Sequence, residues 1–185
     1  MRRETLIGGM VWAATALGTG VQADTSTLED FGSQAPERWE YFADGVMGGV
    51  SEGRAEFTSD GDAAYIKLTG AVSTANNGGF IQVRRLFPYG WPAGTDGLAL
   101  DMRGNGESYY VFLRTNEMTR PWHYCNAVFE TRADWSTVCI PLAAFERSHD
   151  FLADTIDPAS VISIGLVAYD RDHVADLSVA SVTLC

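Results

Sequence analysis

The feature that most constrains this chain is its punctuation. Short apolar or alternating runs cover 39–42, 53–57, 64–68, 80–84, 97–102, 109–114, 122–129, 137–140, 161–167 and 177–184, and Gly, Pro, Asn or Asp turns separate most of them. Alternation is clearest in Ala64-Tyr65-Ile66-Lys67-Leu68 and Val179-Ala180-Ser181-Val182-Thr183-Leu184. Side chains of a strand point alternately to opposite faces, so such runs build half-buried strands. No segment carries a long apolar stripe of period 3.6. Only 141–147 reads as a helical turn, with Pro141 at its first position. The expectation is an all-β, antiparallel β-sandwich in one domain, 38–185, after a polar lead-in over 24–37.

The amino terminus predicts export. Arg2-Arg3 precedes an uncharged stretch, and Val21-Gln22-Ala23 places small residues for cleavage after Ala23. Glycines and threonines make that stretch too polar for a membrane span, and no other segment of the sequence is a candidate transmembrane segment. Arg2-Arg3-Glu4-Thr5-Leu6 is also similar to a twin-arginine signal, from which Thr5 departs. The expected location is therefore exported, periplasmic or secreted. A net charge of −11 leaves no electrostatic case for nucleic acid or anionic lipid. In an oxidising compartment two of the three cysteines could pair. Cys125 and Cys139 flank the 131–134 turn, where a cross-strand bridge is conceivable; Cys185 is an equally legal partner, and three free thiols are the alternative.

The stretch Asp44-Gly45-Val46-Met47-Gly48-Gly49-Val50-Ser51 is too glycine-rich for a helix or a well-packed strand. It reads as a shaped loop or a bulge joining two strands. With it go Asn77-Gly78-Gly79-Phe80 and Arg84; Arg103-Gly104-Asn105-Gly106 and Tyr109-Tyr110; Trp135, Val138-Cys139-Ile140-Pro141-Leu142 and Phe145; and Ile164-Gly165-Leu166. In order and spacing these blocks resemble the CIA30 family, named for the mitochondrial complex I intermediate-associated protein 30. One departure is His173-Val174-Ala175-Asp176-Leu177, where the family often has a Gly-Pro-Phe-like step. The resemblance implies a galactose-binding-like jelly-roll sandwich and a role in assembling respiratory complex I through a protein partner, here a membrane complex. Mitochondrial members work in the matrix, so an exported relative would face the other side of the membrane. Fold transfers across such a resemblance more safely than function.

If the glycine loops converge at one end of the sandwich, Asp44, Gly45, Met47, Gly48, Gly49, Ser51, Asn77, Gly78, Gly79 and Asn105 would form a small polar site with exposed backbone donors. Arg84 and Arg103 would each grip a carboxylate there. The alternative has Asp44 capping its own loop and the arginines pairing internally. A carbohydrate-binding module is the other function class, with Tyr89, Trp91 and Trp122 as loop aromatics able to stack on sugars. Catalytic motifs are lacking: His123, His149 and His173 are scattered, and there is no nucleophile elbow, phosphate loop or dinucleotide fingerprint. Asp170, Asp172 and His173 read as a solvated turn, and Asp150, Asp154 and Asp157 as surface acids able at most to bind a structural calcium. The reading is a non-enzymatic binding domain with no cofactor and no catalytic metal.

Overall fold

The computed structural model describes residues 27–61 and 63–185. The export signal and cleavage site expected within 1–23 lie outside the described residues. Twelve strands follow in order: β1 (Thr27–Glu29), β2 (Trp39–Ala43), β3 (Glu52–Asp60), β4 (Ala63–Val72), β5 (Phe80–Leu86), β6 (Gly97–Gly104), β7 (Ser108–Thr115), β8 (Cys125–Glu130), β9 (Ser136–Pro141), β10 (Glu146–Arg147), β11 (Val161–Tyr169) and β12 (His173–Leu184). Every pairing is antiparallel. The first sheet runs β3-β4-β12-β6-β9, with β1 also on β12; the second runs β10-β8-β7-β11-β5-β2. The helical elements among the described residues are short 3-10 turns. The architecture is the antiparallel sandwich that the alternating runs predict, in the jelly-roll form that the family resemblance implies.

The core lies between the sheets. Ile66, Leu68, Leu98, Leu100, Leu177 and Val182 of the first sheet face Ile81, Val83, Tyr109, Val111, Leu113, Ile164 and Leu166 of the second. On β7 the buried positions are Tyr109, Val111, Leu113 and Thr115, strictly every second residue. Register follows from that alternation, because a one-residue slip would turn these side chains outward.

Four expectations need correction. The polar lead-in is part of the sandwich from Thr27, since β1 pairs with β12 (Thr27↔Thr183) and Phe31 and Ala35 lie in the core. What holds it is Glu29, a buried carboxylate that accepts from Arg38 Nη2 at 2.7 Å, Arg85 Nη1 at 2.8 Å and Trp39 Nε1 at 2.8 Å. Second, Cys139 bonds Cys185 rather than Cys125, with Cα atoms 6.5 Å apart, and Cys125 is free and buried. Residues 131–134 do not close a hairpin: β8 belongs to the second sheet and β9 to the first, so Cys125 and Cys139 lie in different layers. Third, 141–147 is a single 3-10 turn, Leu142–Ala144, followed by β10. Finally, the run at 122–129 becomes strand only from Cys125.

Antiparallel order brings the segments 44–51, 73–79, 105–107, 131–135 and 170–172 to one end of the sandwich.

Candidate functional site

The glycine-rich loop leaves β2 through an extended Ala43, makes one 3-10 turn over Asp44–Met47, and stops at Gly48, whose φ is 90°. That left-handed conformation is what glycine supplies at a helix end. Asp44 then points inward and is fully buried. Its carboxylate accepts from Ser51 N at 2.9 Å, Ser51 Oγ at 2.5 Å, Gly79 N at 2.6 Å and Phe80 N at 3.3 Å. Burial pushes the Asp44 carboxyl up, but the bonds from Ser51, Gly79 and Phe80 outweigh it and hold it below the ordinary aspartate range. A Cβ on Gly49 or Gly78 would collide with this carboxylate. The first two glycine blocks therefore meet, but as a latch closed on Asp44 and not as an open polar pocket. Its polar groups are spent on one another.

What the latch leaves outside is apolar. Val46 is 76 % exposed, Met47 61 % and Val50 49 %. A fixed loop tip that presents three such side chains to solvent is unusual where water is the only neighbour, because ordering them gains nothing there. Gly45, Gly48 and Asn77 are exposed beside them.

The arginines do not converge on this end. Arg84 lies on the outer face of the second sheet, its guanidinium carbon 4.4 Å from the ring centre of Phe42. Arg103 lies on the outer face of the first sheet, 4.7 Å over Trp135 and 5.4 Å over Tyr65. Asn105 is structural: its Nδ2 donates to Val174 O at 2.7 Å and its Oδ1 accepts from Tyr109 Oη at 2.8 Å. Tyr109 in turn accepts from Asp176 N at 2.8 Å, and burial pushes its phenol up to about 12.

The loop aromatics divide. Trp91 is only 3 % exposed, with its ring edge-on to Phe87, so it offers no face to a sugar. Tyr89 and Trp122 are exposed. Sequence reasoning passed over a more extensive ring surface, the outer face of the second sheet. Tyr110 and Phe112 of β7, Tyr124 just before β8 and Tyr169 of β11 meet there. Phe112 and Tyr124 stack in parallel with centres 4.1 Å apart, and Tyr169 stands edge-on to Tyr110 at 5.5 Å and to Phe112 at 5.3 Å. Arg114 holds the preceding loop over this face by donating to the carbonyls of His123 at 3.0 Å and Met118 at 2.8 Å. A signal existed: in Ser108-Tyr109-Tyr110-Val111-Phe112-Leu113 both faces of the strand are apolar, which a solvated outer face does not require.

Among the described residues no group of three or more His, Cys, Asp or Glu side chains is placed to hold a metal ion. Asp150 and Asp154 pair with Arg147, and Asp157 caps Ala159 N at 3.0 Å. Asp172 accepts from Thr74 N at 2.7 Å. No helix among the described residues is long and apolar enough to cross a membrane.

Against known proteins, residues 29–178 match the family described as complex I intermediate-associated protein 30. No curated protein matches. Among solved structures, the chain is similar to a family 11 carbohydrate-binding module from Clostridium thermocellum in complex with a β-1,3-1,4-mixed-linked tetrasaccharide. The TM-score is 0.70 at 15 % identity, covering 86 % of this chain and 94 % of that one. A family 30 carbohydrate-binding module aligns with TM-score 0.54 at 14 % identity over 74 % and 91 % of the two chains. An exo-β-agarase aligns with TM-score 0.57 at 10 % identity, covering 86 % of this chain and 25 % of the agarase. At such identities the likeness is one of fold.

Proposed function

The chain belongs to the complex I intermediate-associated protein 30 family, and from that premise we propose that it is a non-catalytic binding domain that docks a membrane protein complex, as an assembly factor does, in the cell envelope. The observation that carries this reading is the apolar tip of Val46, Met47 and Val50, exposed yet fixed by the buried Asp44 latch. A tip whose backbone is already held by the latch loses less freedom on docking than a free loop would, and apolar area buried against a partner is worth roughly 25 cal/mol per Å² before the cost of association. The family's description supplies the first partner to test, an intermediate of complex I.

The test passes detergent-solubilised envelope over the immobilised chain and over a Val46→Ser/Met47→Ser variant. Complex I subunits retained by the first and lost by the second support the reading. Equal retention by both removes the tip from the site, and no retention of these subunits rejects complex I as the partner. Asp44→Ala is unsuitable as the comparison, because it would dismantle the loop along with the site.

A second reading, a carbohydrate-binding module, is favoured by one observation, the ring-lined outer face of the second sheet. The family 11 module that shares the fold is described with a bound tetrasaccharide.

A further inference from the structure

The outer face of the second sheet has a defined grid. Arg84 on β5, Gly165 on β11 and Phe112 on β7 stand in one row. Gln82, Val167 and Tyr110 stand in the next, and Phe80 and Tyr169 beyond them. The missing side chain at Gly165 leaves room only for its neighbours: a Cβ there would lie 3.1 Å from Gln82 Oε1, 3.5 Å from Val167 Cγ2 and 3.6 Å from Phe112 Cβ. Rings floor the rest of the face, and the Tyr124 and Tyr169 hydroxyls meet at 3.3 Å on its far side.

Charge is the second observation. Arg84 has no carboxylate within 4.0 Å among the described residues, although Glu40 is its register neighbour on β2. Arg114, two residues along β7 from Phe112, is met by backbone carbonyls and by no carboxylate there. Its Nε and Nη2 are thereby committed to the chain's own loop. A protein with 24 acidic and 13 basic residues thus keeps one guanidinium group, that of Arg84, with no carboxylate within 4.0 Å among the described residues, on its most aromatic face. The face also lies away from any sheet edge, and its backbone donors are used in the ladders, so a peptide cannot add to it as a strand. Flat rings beside planar amide and guanidinium groups suit the C–H faces and polar substituents of sugar rings.

We propose that the outer face of the second sheet binds an anionic glycan, its sugar rings lying on Tyr110 and Tyr169 and its uronate or sulfate groups meeting Arg84. This rests on the glycan reading and adds the charge class of the ligand. Guanidinium pairs anions through two parallel hydrogen bonds, the strongest polar contact such a face can make.

The experiment is calorimetric titration of the full chain with four probes: hexagalacturonate, a dextran sulfate oligosaccharide, a neutral mixed-linked β-glucan hexasaccharide and hexaglutamate. The expected result is binding of one or both acidic glycans, weakened about tenfold by Arg84→Gln, abolished by Tyr110→Ala with the thermal transition retained, and unchanged by Met47→Ser. Which acidic glycan binds separates uronate from sulfate. Equal binding of the neutral glucan, insensitive to Arg84→Gln, overturns the charge claim while the glycan reading stands. Hexaglutamate binding as tightly as the glycans overturns the claim in favour of an acidic peptide. No binding of any probe overturns both the claim and the glycan reading.

Discussion

Replacing Asp44 with asparagine keeps the shape of the side chain and removes its charge. The wild-type carboxylate accepts from Ser51 N and Oγ and from Gly79 N, at 2.9, 2.5 and 2.6 Å, within a fully buried site. An amide has one acceptor oxygen, so whichever way it turns its NH2 faces an N–H of Ser51 or Gly79. Hydrogen bonds to a charged group contribute about 1.5–3 kcal/mol each, and a buried unpaired donor costs about 1–3 kcal/mol. The expected loss is about 3–5 kcal/mol, a large part of the roughly 5–15 kcal/mol that holds a domain of this size. Urea unfolding at pH 7 reads it directly: with a slope of about 2 kcal/mol/M, the midpoint falls by roughly 2 M. A pH series checks the sign. The Asp44 carboxyl is held below its ordinary value, so its contribution is present above about pH 4 and is lost as pH falls through the depressed value. The gap between wild type and Asp44→Asn should therefore narrow on acidification. A midpoint change under about 0.5 M, or a gap that does not narrow in acid, would refute the latch.

The glycines of the loop should not behave alike. Gly78→Ala drives a Cβ into the Asp44 carboxylate and should cost several kcal/mol, whereas Gly48→Ala meets open space and loses only about 1–2 kcal/mol for its left-handed backbone; chemical denaturation of both variants tests the contrast. Non-reducing peptide mapping should find Cys139 joined to Cys185 with Cys125 free, and Cys139→Ser/Cys185→Ser should lose about 2–4 kcal/mol in denaturant unfolding. At alkaline pH the Tyr109 phenol, raised to about 12, resists ionisation in the folded chain but not in the unfolded one, so stability falls as pH rises past 10. Between pH 10 and 11 the fall from this group is about 1 kcal/mol, and Tyr109→Phe should flatten that part of the stability profile measured by urea titration.

Strands such as β7 were legible because one face is buried, and burial forces alternation at positions such as 109, 111 and 113. The strand β1 was not, because three residues carry no period and its hold on the sandwich comes from Glu29, whose partners Arg38 and Arg85 lie on other segments. The cysteine pairing depended on which strand belongs to which sheet, and spacing along the chain does not encode that. The Asp44 loop was visible as a special segment, yet an aspartate among glycines reads the same whether its carboxylate faces a ligand or its own backbone. The fold decided for the backbone and moved the interest to Val46, Met47 and Val50, the residues between the glycines. For the ring-lined sheet face the residues were in plain view on β7, and only the cross-strand register joins them to Tyr169 and Arg84.

The proposed seat of the partner is the apolar tip of Val46, Met47 and Val50. A photo-activatable phenylalanine analogue placed at Met47, and in a parallel chain at Tyr110 as a control, would be irradiated in intact envelope. A discrete adduct with a subunit of a membrane complex is expected from position 47, and none to that subunit from position 110. The same subunit labelled equally from both positions, or no adduct from position 47, would contradict that placement.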